Sequence, residues 1–336
     1  MAYKQRILSG MRASNPRLHL GNYEGALRNW VKLQDDFKLY CMVADYHALT
    51  TMGDIPDNIG AYSREVAKDY ISAGIDPRQS SVFIQSHVPE HAELHLIFSM
   101  VTGVGKLERV PTYKEKKEDL AEGRAVSYGL LGYPVLQSAD ILLYRPHGVP
   151  VGKDQAPHLE LSREIARSFN SAFDCDVFPE FKDIIDEDDL RSKVPGLDAD
   201  DNGVLRKMSK SYDNCIYLTD TEDEVARKVK GAFTTPSKIK KSDPGIPEGC
   251  AVCQYLKLYS ADWKTLWDED VQGERGCMQN KSVLIDVLNE FLRPFRERRA
   301  SLDDSTIESM LKQGAEEARQ CASETLSLAK KAMRLT

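Results

Sequence analysis

The chain has 336 residues, 41% hydrophobic and 29% charged, and a net charge of −7. That length suits two domains and a sizeable core; no run reaches the roughly 18 apolar residues of a membrane span, and the opening MAYKQRILSG holds no signal-peptide apolar region, so the expected compartment is the cytoplasm. Seven cysteines in so long a chain argue against a disulfide framework, and the negative balance confines any nucleic-acid contact to local basic patches.

In chain order, short β-rich runs stand at 6–9 (RILS), 39–43 (LYCMV) and 82–84 (VFI), with a further one at 149–152 (VPVG). Helical periodicity fills the intervals. Tyr23, Ala26, Leu27, Trp30 and Val31 share one face after the first run, and Tyr62, Val66, Tyr70 and Ile71 share one after the second. Strands alternating with helices predict an α/β fold with a parallel sheet of βαβ units. After about residue 214 the pattern changes to amphipathic helices with few strand signals, so a boundary is placed at 213: an α/β domain over 1–213 and a helical domain over 214–336. Residues 198–206 (DADDNGVLR) read as a polar, glycine-containing loop.

Two short motifs carry chemistry. HLGN, His19 to Asn22, stands where an apolar run gives way to a helix. Ligands of open α/β sheets bind beyond the carboxyl ends of strands, and anions favour helix N-termini. Gly21 would admit a purine or phosphate close to the backbone, with His19 and Asn22 as donors; the alternative is a packed histidine and a helix cap at Asn22. RKMSKS, Arg206 to Ser211, sets two lysines and two serines beside that polar loop. Ammonium groups neutralise phosphate oxygens and hydroxyls add donors. Two other stretches read as decoys. His91 and His95 lie four apart on a predicted helix, yet Glu93 midway breaks the metalloprotease pattern; TGVGKLER misses the spacing of a phosphate-binding loop.

An early HIGH-type element and a later KMSKS element, joined to a helical domain, resemble the class I aminoacyl-tRNA synthetases. GNYEGALRNWVKLQ, SAGIDP, FIQSHVPEHAEL, LERVPTYKEK, YPVLQSADILLY and VPVGKDQAPHLELSREIARSFN narrow the resemblance, over essentially the whole chain, to the bacterial-type tryptophanyl-tRNA synthetase family. The resemblance implies a Rossmann-like, doubly wound catalytic domain of the HUP type and a helical anticodon-recognition domain whose last helix packs back on the first. It implies activation of L-tryptophan by ATP with Mg2+, transfer to the 3′-terminal adenosine of tRNA(Trp), no tightly bound cofactor, and a homodimer with its interface near 95–135. By the match, Gly21 and Asn22 line the ATP site with His19 near the phosphates. Lys207, Ser209 and Lys210, with Met208 and Ser211 in the same motif, hold the pyrophosphate, and Lys116 reaches the phosphates from another loop. Gly152, Lys153 and Asp154 fall at the ribose and phosphate end, Val194 near the adenine. Asp140 accepts the indole N–H, and Tyr133 and Gln155 hold the α-ammonium.

The sequence departs from the family pattern in four places. ASNPR replaces the usual PTG before the first motif, so Arg12, Ala13 and Ser14 are expected ATP-site lining on a longer segment. Gln137 stands where some members carry methionine; Gln137 and Asp140 together would also suit a tyrosine hydroxyl, which makes tyrosyl-tRNA synthetase the nearest enzymatic alternative, and a non-catalytic RNA-binding paralogue the alternative of another class. ADDNGVL lengthens the loop before KMSKS and bears on its closure. Some members hold an iron–sulfur cluster on four cysteines; here Cys250 and Cys277 remain, Cys253 adds a third thiol, and Asp270 and Asn280 occupy the other two positions, so the site reads as degenerate and no metal is expected. Basic clusters in RKVKGAF, SKIKK and RPFRERR are the expected tRNA contacts.

Overall fold

Strand β1 (Arg6–Arg12) and strand β2 (Lys38–Ala44) pair in parallel along their whole length, from Arg6 opposite Lys38 to Arg12 opposite Ala44. β2 is buried from Leu39 to Ala44, as a central strand covered on both faces must be. β3 (Ser81–Ile84) adds beyond β2, and β4 (Gly148–Val151) and β5 (Lys182–Ile185) add on the other side of β1, all parallel, in the order β3-β2-β1-β4-β5. The order reverses between β1 and β4, the switch point beyond which doubly wound sheets bind ligands. β5 escaped the sequence reading because it is an edge strand, half-exposed along its length, and has no sustained apolar run.

The computed structural model describes residues 5–50, 58–118, 125–152, 155–185, 191 and 193–335. They form two compact units. The first comprises Met1–Pro16, Asn29–Asp186 and Leu302–Thr336. Its longer helices are α1 (Ile59–Ala73), α2 (Glu90–Val101), α3 (Pro111–Glu118), α4 (Tyr128–Leu143), α5 (Ala156–Ala172) and, at the end of the chain, α10 (Asp304–Ala332). Leu94, Phe98, Leu142, Leu159 and Phe169 join α2, α4 and α5 in one core with Leu8 and Phe83 of the sheet.

The division at 213 does not coincide with these units. α10 lies on β3 and contacts α1, α2 and α4. Its buried stripe, Ile307, Leu311, Gly314, Ala315, Ala318, Ala322 and Leu326, has small residues at its middle, which lets the helix approach the sheet closely. Polar contacts fix its register: Glu317 takes a salt bridge from Lys38 at 2.8 Å and a hydrogen bond from Ser81 at 2.6 Å. An apolar stripe of this length has to be covered, and here the first unit covers it.

The second unit comprises Arg17–Arg28 and Glu187–Ser301. In it, β6 (Pro195–Ala199) and β7 (Leu205–Lys207) form an antiparallel pair. The polar stretch at 198–206 is therefore the turn of a hairpin; Asp200 ties it by accepting from the backbone of Asn202 and Val204, each at 2.9 Å. Helices α6 (Glu222–Gly231), α7 (Ala251–Tyr259), α8 (Trp263–Val271) and α9 (Cys277–Ala300) complete the unit. Leu284, Leu288 and Leu292 of α9, spaced by four, are fully buried, where α9 meets α6 and α7.

Tyr70 of α1 joins the first unit's sheet to its helical cover. Its hydroxyl donates to the carbonyl of Met42 at 3.1 Å and accepts from the amide of Met11 at 2.9 Å. Tyr70→Phe strands both backbone groups and is expected to cost about 1–3 kcal/mol, read as a lower denaturation midpoint with unchanged circular dichroism; an unshifted midpoint would show that the two bonds add nothing.

Candidate active site

Within the second unit, HLGN and KMSKS meet. The Leu18–Leu20 segment runs antiparallel to 216–218, with His19 bridged to Tyr217 and the amide of Leu20 donating to Ile216 at 2.9 Å. His19 then caps the helical turn Leu20–Asn22: its Nδ1 accepts from the amide of Asn22 at 3.2 Å, and the Asn22 Oδ1 accepts from the amide of His19 at 3.1 Å. The capping alternative is seen with the roles exchanged: the histidine is the cap and Asn22 closes the box. A π-helical stretch, Tyr23–Leu27, follows. Its Tyr23 ring packs edge-on against Phe295, centroids 5.0 Å apart, and its buried Glu24 is held by Arg191 at 2.9 Å and Arg28 at 3.2 Å.

The amide of Gly21 points at the sulfur of Met208, 3.3 Å away. A Cβ on Gly21 would lie 3.0 Å from Nδ1 of His19 and 3.5 Å from that sulfur, so the glycine keeps the two motifs in contact. Met208 is buried while Lys207 on one side is exposed and Lys210 half-exposed. The methionine anchors the motif and leaves the ammonium groups to the surface. Burial, then the charges of Lys210 and Lys207, lower the pKa of His19 to about 4. At neutral pH the ring is uncharged. With Nδ1 accepting, its proton sits on Nε2, a donor beside two ammonium groups. The arrangement offers positive charge and hydrogen bonds without a nucleophile.

Asn214, absent from the sequence reading, sets the shape of the KMSKS segment. Its Oδ1 accepts from the amide of Ser209 at 2.8 Å, and its Nδ2 donates to Asp198 at 2.6 Å and to the carbonyl of Lys207 at 3.1 Å. A Cβ at Gly196 would fall 2.0 Å from that Nδ2, so the glycine makes room for the clamp. Ser209 caps a single 3-10 turn, Lys210–Tyr212, and Val194 is buried just before β6.

In the first unit the expected residues gather at the carboxyl ends of the parallel strands. Arg12 ends β1, with Ala13 buried and Ser14 exposed after it; Gly152 follows β4; Gln155 opens α5. Lys153 and Asp154 lie outside the described residues. Lys116 of α3 stands 4.3 Å over the ring of Tyr133. Burial first and the Arg12 guanidinium second lower its pKa to about 8, so Arg12, Lys116 and Tyr133 form one electropositive group. The Tyr133 hydroxyl bonds Thr112, which contacts His158 at 2.8 Å; Thr112 and His158 carried no signal in the sequence.

Tyr133, Gln137 and Asp140 recur at helical spacing on one face of α4. Asp140 is 2% exposed. Its Oδ1 accepts from Nδ1 of His91 at 2.6 Å and Nε2 of Gln85 at 2.8 Å; its Oδ2 contacts Nε2 of His47 at 2.7 Å and the same Gln85 nitrogen at 3.0 Å. Burial pushes the carboxyl up, but the hydrogen bonds and charges of His47 and His91 outweigh it and hold the group well below the usual carboxylate range. His91 is no metal ligand: its other nitrogen contacts the Tyr144 hydroxyl at 2.9 Å. His47, Gln85 and His91 were unrecognisable as partners of Asp140 because they lie 93, 55 and 49 residues away in sequence.

In the second unit, Cys250, Cys277, Asp270 and Asn280 line one small cavity with Lys238. The Lys238 ammonium lies 3.4 Å from the Asp270 carboxylate and donates to the carbonyls of Asp243 at 2.8 Å and Asp270 at 3.0 Å. Asn280 donates to Asp270 at 3.0 Å. Among the described residues no group of three or more His, Cys, Asp or Glu is arranged to hold a metal ion. Lys228 and Lys238, expected on an RNA-facing surface, are committed inside the unit: Lys228 to Asp220 at 2.6 Å, Lys238 to Asp270. Arg227, Lys230, Lys240 and Lys241 stay exposed.

Comparison with known proteins gives the same direction throughout. The model for class I tRNA synthetases (W and Y) matches residues 2–293. The chain is 42% identical to a tryptophan–tRNA ligase of Thermotoga maritima, covering 98% of this chain and 99% of that one, and 39% identical to one of Aquifex aeolicus, covering 98% and 100%. The tryptophanyl-tRNA synthetase of Campylobacter jejuni, solved with ADP and tryptophan, superposes with a TM-score of 0.85 at 32% identity over 98% of this chain and 99% of that one.

The neutral state of His19 is open to direct measurement. Its imidazole resonances should titrate near pH 4 rather than 6.5, and Lys207→Ala or Lys210→Ala should move the midpoint upward, since each removes a repelling charge. Below pH 6.5 the unfolded chain binds the proton and the folded one does not, so this residue subtracts stability as pH falls from 6.5 to about 4 and no more beyond. A midpoint near 6.5 would contradict the buried, capped geometry.

Proposed function

This chain belongs to the class I tRNA synthetases for tryptophan and tyrosine, and within them to the tryptophan–tRNA ligases, and we propose how its residues divide the reaction. The enzyme joins L-tryptophan to ATP, giving tryptophanyl-adenylate and pyrophosphate, and passes the amino acid to the 3′-terminal adenosine of tRNA(Trp). Magnesium enters with the triphosphate as part of the substrate. The tryptophan carboxylate attacks the α-phosphorus in line, so the protein's task is positioning and charge stabilisation.

The observation that carries this reading is the contact between Gly21 and Met208. It sets a neutral N–H donor, His19, beside the ammonium groups of Lys207 and Lys210, a group matched to an oxyanion that gains charge as pyrophosphate departs. Gly21 and Asn22 line the nucleotide, Ser209 and Ser211 add hydroxyl donors, and Val194 belongs to the adenine end. Lys116 and Arg12 supply further positive charge to the phosphates. A bound triphosphate returns Lys116 toward its ordinary, fully protonated state.

Asp140 selects the side chain. A buried anion has a place for an N–H donor, and an amino acid without that donor leaves it short of a partner. Tyr133 and Gln155 serve the α-ammonium, and Gln137 shapes the same face. ATP–pyrophosphate exchange should depend on L-tryptophan and not on L-tyrosine. Asp140→Ala should raise the tryptophan KM about tenfold or more while the ATP KM moves little. Exchange driven by tyrosine alone would overturn the assignment, and an equal rise in both KM values would make Asp140 structural.

We place the enzyme in the cytoplasm, where its tRNA is, and among the described residues no helix is long and apolar enough to cross a membrane. Arg227, Lys230, Lys240 and Lys241 are the phosphate contacts we assign to tRNA. Leu96, Met100, Val104 and Tyr128, each more than half exposed, form the apolar surface we assign to a second copy of the chain. Sedimentation of the wild type as a dimer and of Met100→Glu as a monomer is the expected result; a wild-type monomer at micromolar concentration would refute it.

A further inference from the structure

Asp140 is held by a chain of groups that the reaction itself does not require. Its Oδ1 contacts Nδ1 of His91, and Nε2 of His91 contacts the hydroxyl of Tyr144, which lies one helical turn beyond Asp140 at the end of α4. His91 and Tyr144 are wholly buried. The His91 ring stacks on Phe83, centroids 6.0 Å apart, and Tyr144 lies against Tyr40 at 4.5 Å. Both rings are thus packed against aromatic neighbours while their polar atoms meet one another.

The chemistry of the three groups fixes the proton between Asp140 and His91. An ionised Asp140 only accepts, so Nδ1 of His91 must carry hydrogen. Burial and the nearby Asp140 charge push the Tyr144 hydroxyl well above its ordinary range, so it remains O–H and stays bonded to Nε2. The imidazole is then satisfied at both ends, Nδ1 by Asp140 and Nε2 by Tyr144. His47 and Gln85 supply the remaining donors to the carboxylate. Three donor groups make four contacts with the two oxygens, the Gln85 nitrogen lying within reach of both, so an incoming N–H takes one of the two sites that Gln85 shares.

We propose that His91 is a positioning residue for amino-acid selection: held by Tyr144, it fixes the Asp140 carboxylate as an aimed anion whose acceptor site shared with Gln85 reads the indole N–H. The inference rests on the reading of Asp140 as the side-chain selector. It assigns His91 no contact with tryptophan and no part in the transfer. The other titratable groups around this chain are His47 and His95, which face Asp140, and Tyr40, Glu90 and Cys321, which face Tyr144.

Removing the His91 donor should let burial dominate and raise the Asp140 pKa into the assay range. The test is the pH profile of kcat/KM for tryptophan in ATP–pyrophosphate exchange, beside KM for ATP. The wild type should show no acid limb from Asp140. His91→Phe should lose about tenfold or more in kcat/KM for tryptophan at neutral pH, gain a limb that falls as pH decreases, and leave the ATP KM within about twofold. His91→Asn, whose amide can replace Nδ1–H, should restore the flat profile. Tyr144→Phe, a change of one hydroxyl that keeps the packing, should give the same effects in smaller degree and serves if His91→Phe does not fold. An unaltered pH profile in both Tyr144→Phe and any folded His91→Phe, or parallel losses for tryptophan and ATP, would overturn the proposal. Failure of Asp140→Ala to affect the tryptophan KM would instead overturn the selector reading beneath it.

Discussion

A carboxylate without water must be surrounded by donors, and in the first unit Asp140 imposes that requirement on everything around it. It draws His47 from beyond β2, Gln85 from the end of β3 and His91 from the first turn of α2 to one point on α4. Each of these elements begins or ends at the carboxyl edge of the sheet. The parallel register of β1, β2 and β3 is what makes those ends converge. The charge in turn makes the convergence obligatory, since any slip would leave an ion unpaired in the core.

The second unit works with the opposite charge and a milder device. Its histidine is kept neutral by burial and by two lysines, and its tautomer is set by a capping box made with the peptide backbone. The same residue therefore starts a helix and presents a donor. That economy explains why HLGN is ambiguous when read as text: the structural and the chemical roles use different atoms of the same side chains. Asn214 performs a similar double service for the later motif, holding Ser209 and Lys207 by their backbones while the Lys207 side chain stays exposed.

The cavity around Cys250 and Cys277 is lined by a charged pair and an amide. Lys238, Asp270 and Asn280 satisfy one another there, and Lys238 is thereby withdrawn from the basic surface that its sequence context suggested. Composition counts charges but does not say which of them face water. Of the lysines in RKVKGAF and SKIKK, Lys230, Lys240 and Lys241 face outward, and Lys228 and Lys238 hold the unit together.

The sequence by itself determined what depends on neighbours within a few residues. The four apolar runs became β1 to β4, the amphipathic stretches became α1, α6, α9 and α10, and the two motifs carried their residue types in readable order. Tertiary structure decided the rest. β5 needed a neighbouring strand to exist, and the polar stretch at 198–206 became a hairpin only through its pairing. α10 joined the first unit because β3 offered its small-residue stripe a surface. The partners of Asp140 and the contact of Gly21 with Met208 span 49 to 187 residues. No local periodicity encodes such distances; they follow from which strand ends the parallel sheet brings together and from the cost of leaving a buried polar group alone.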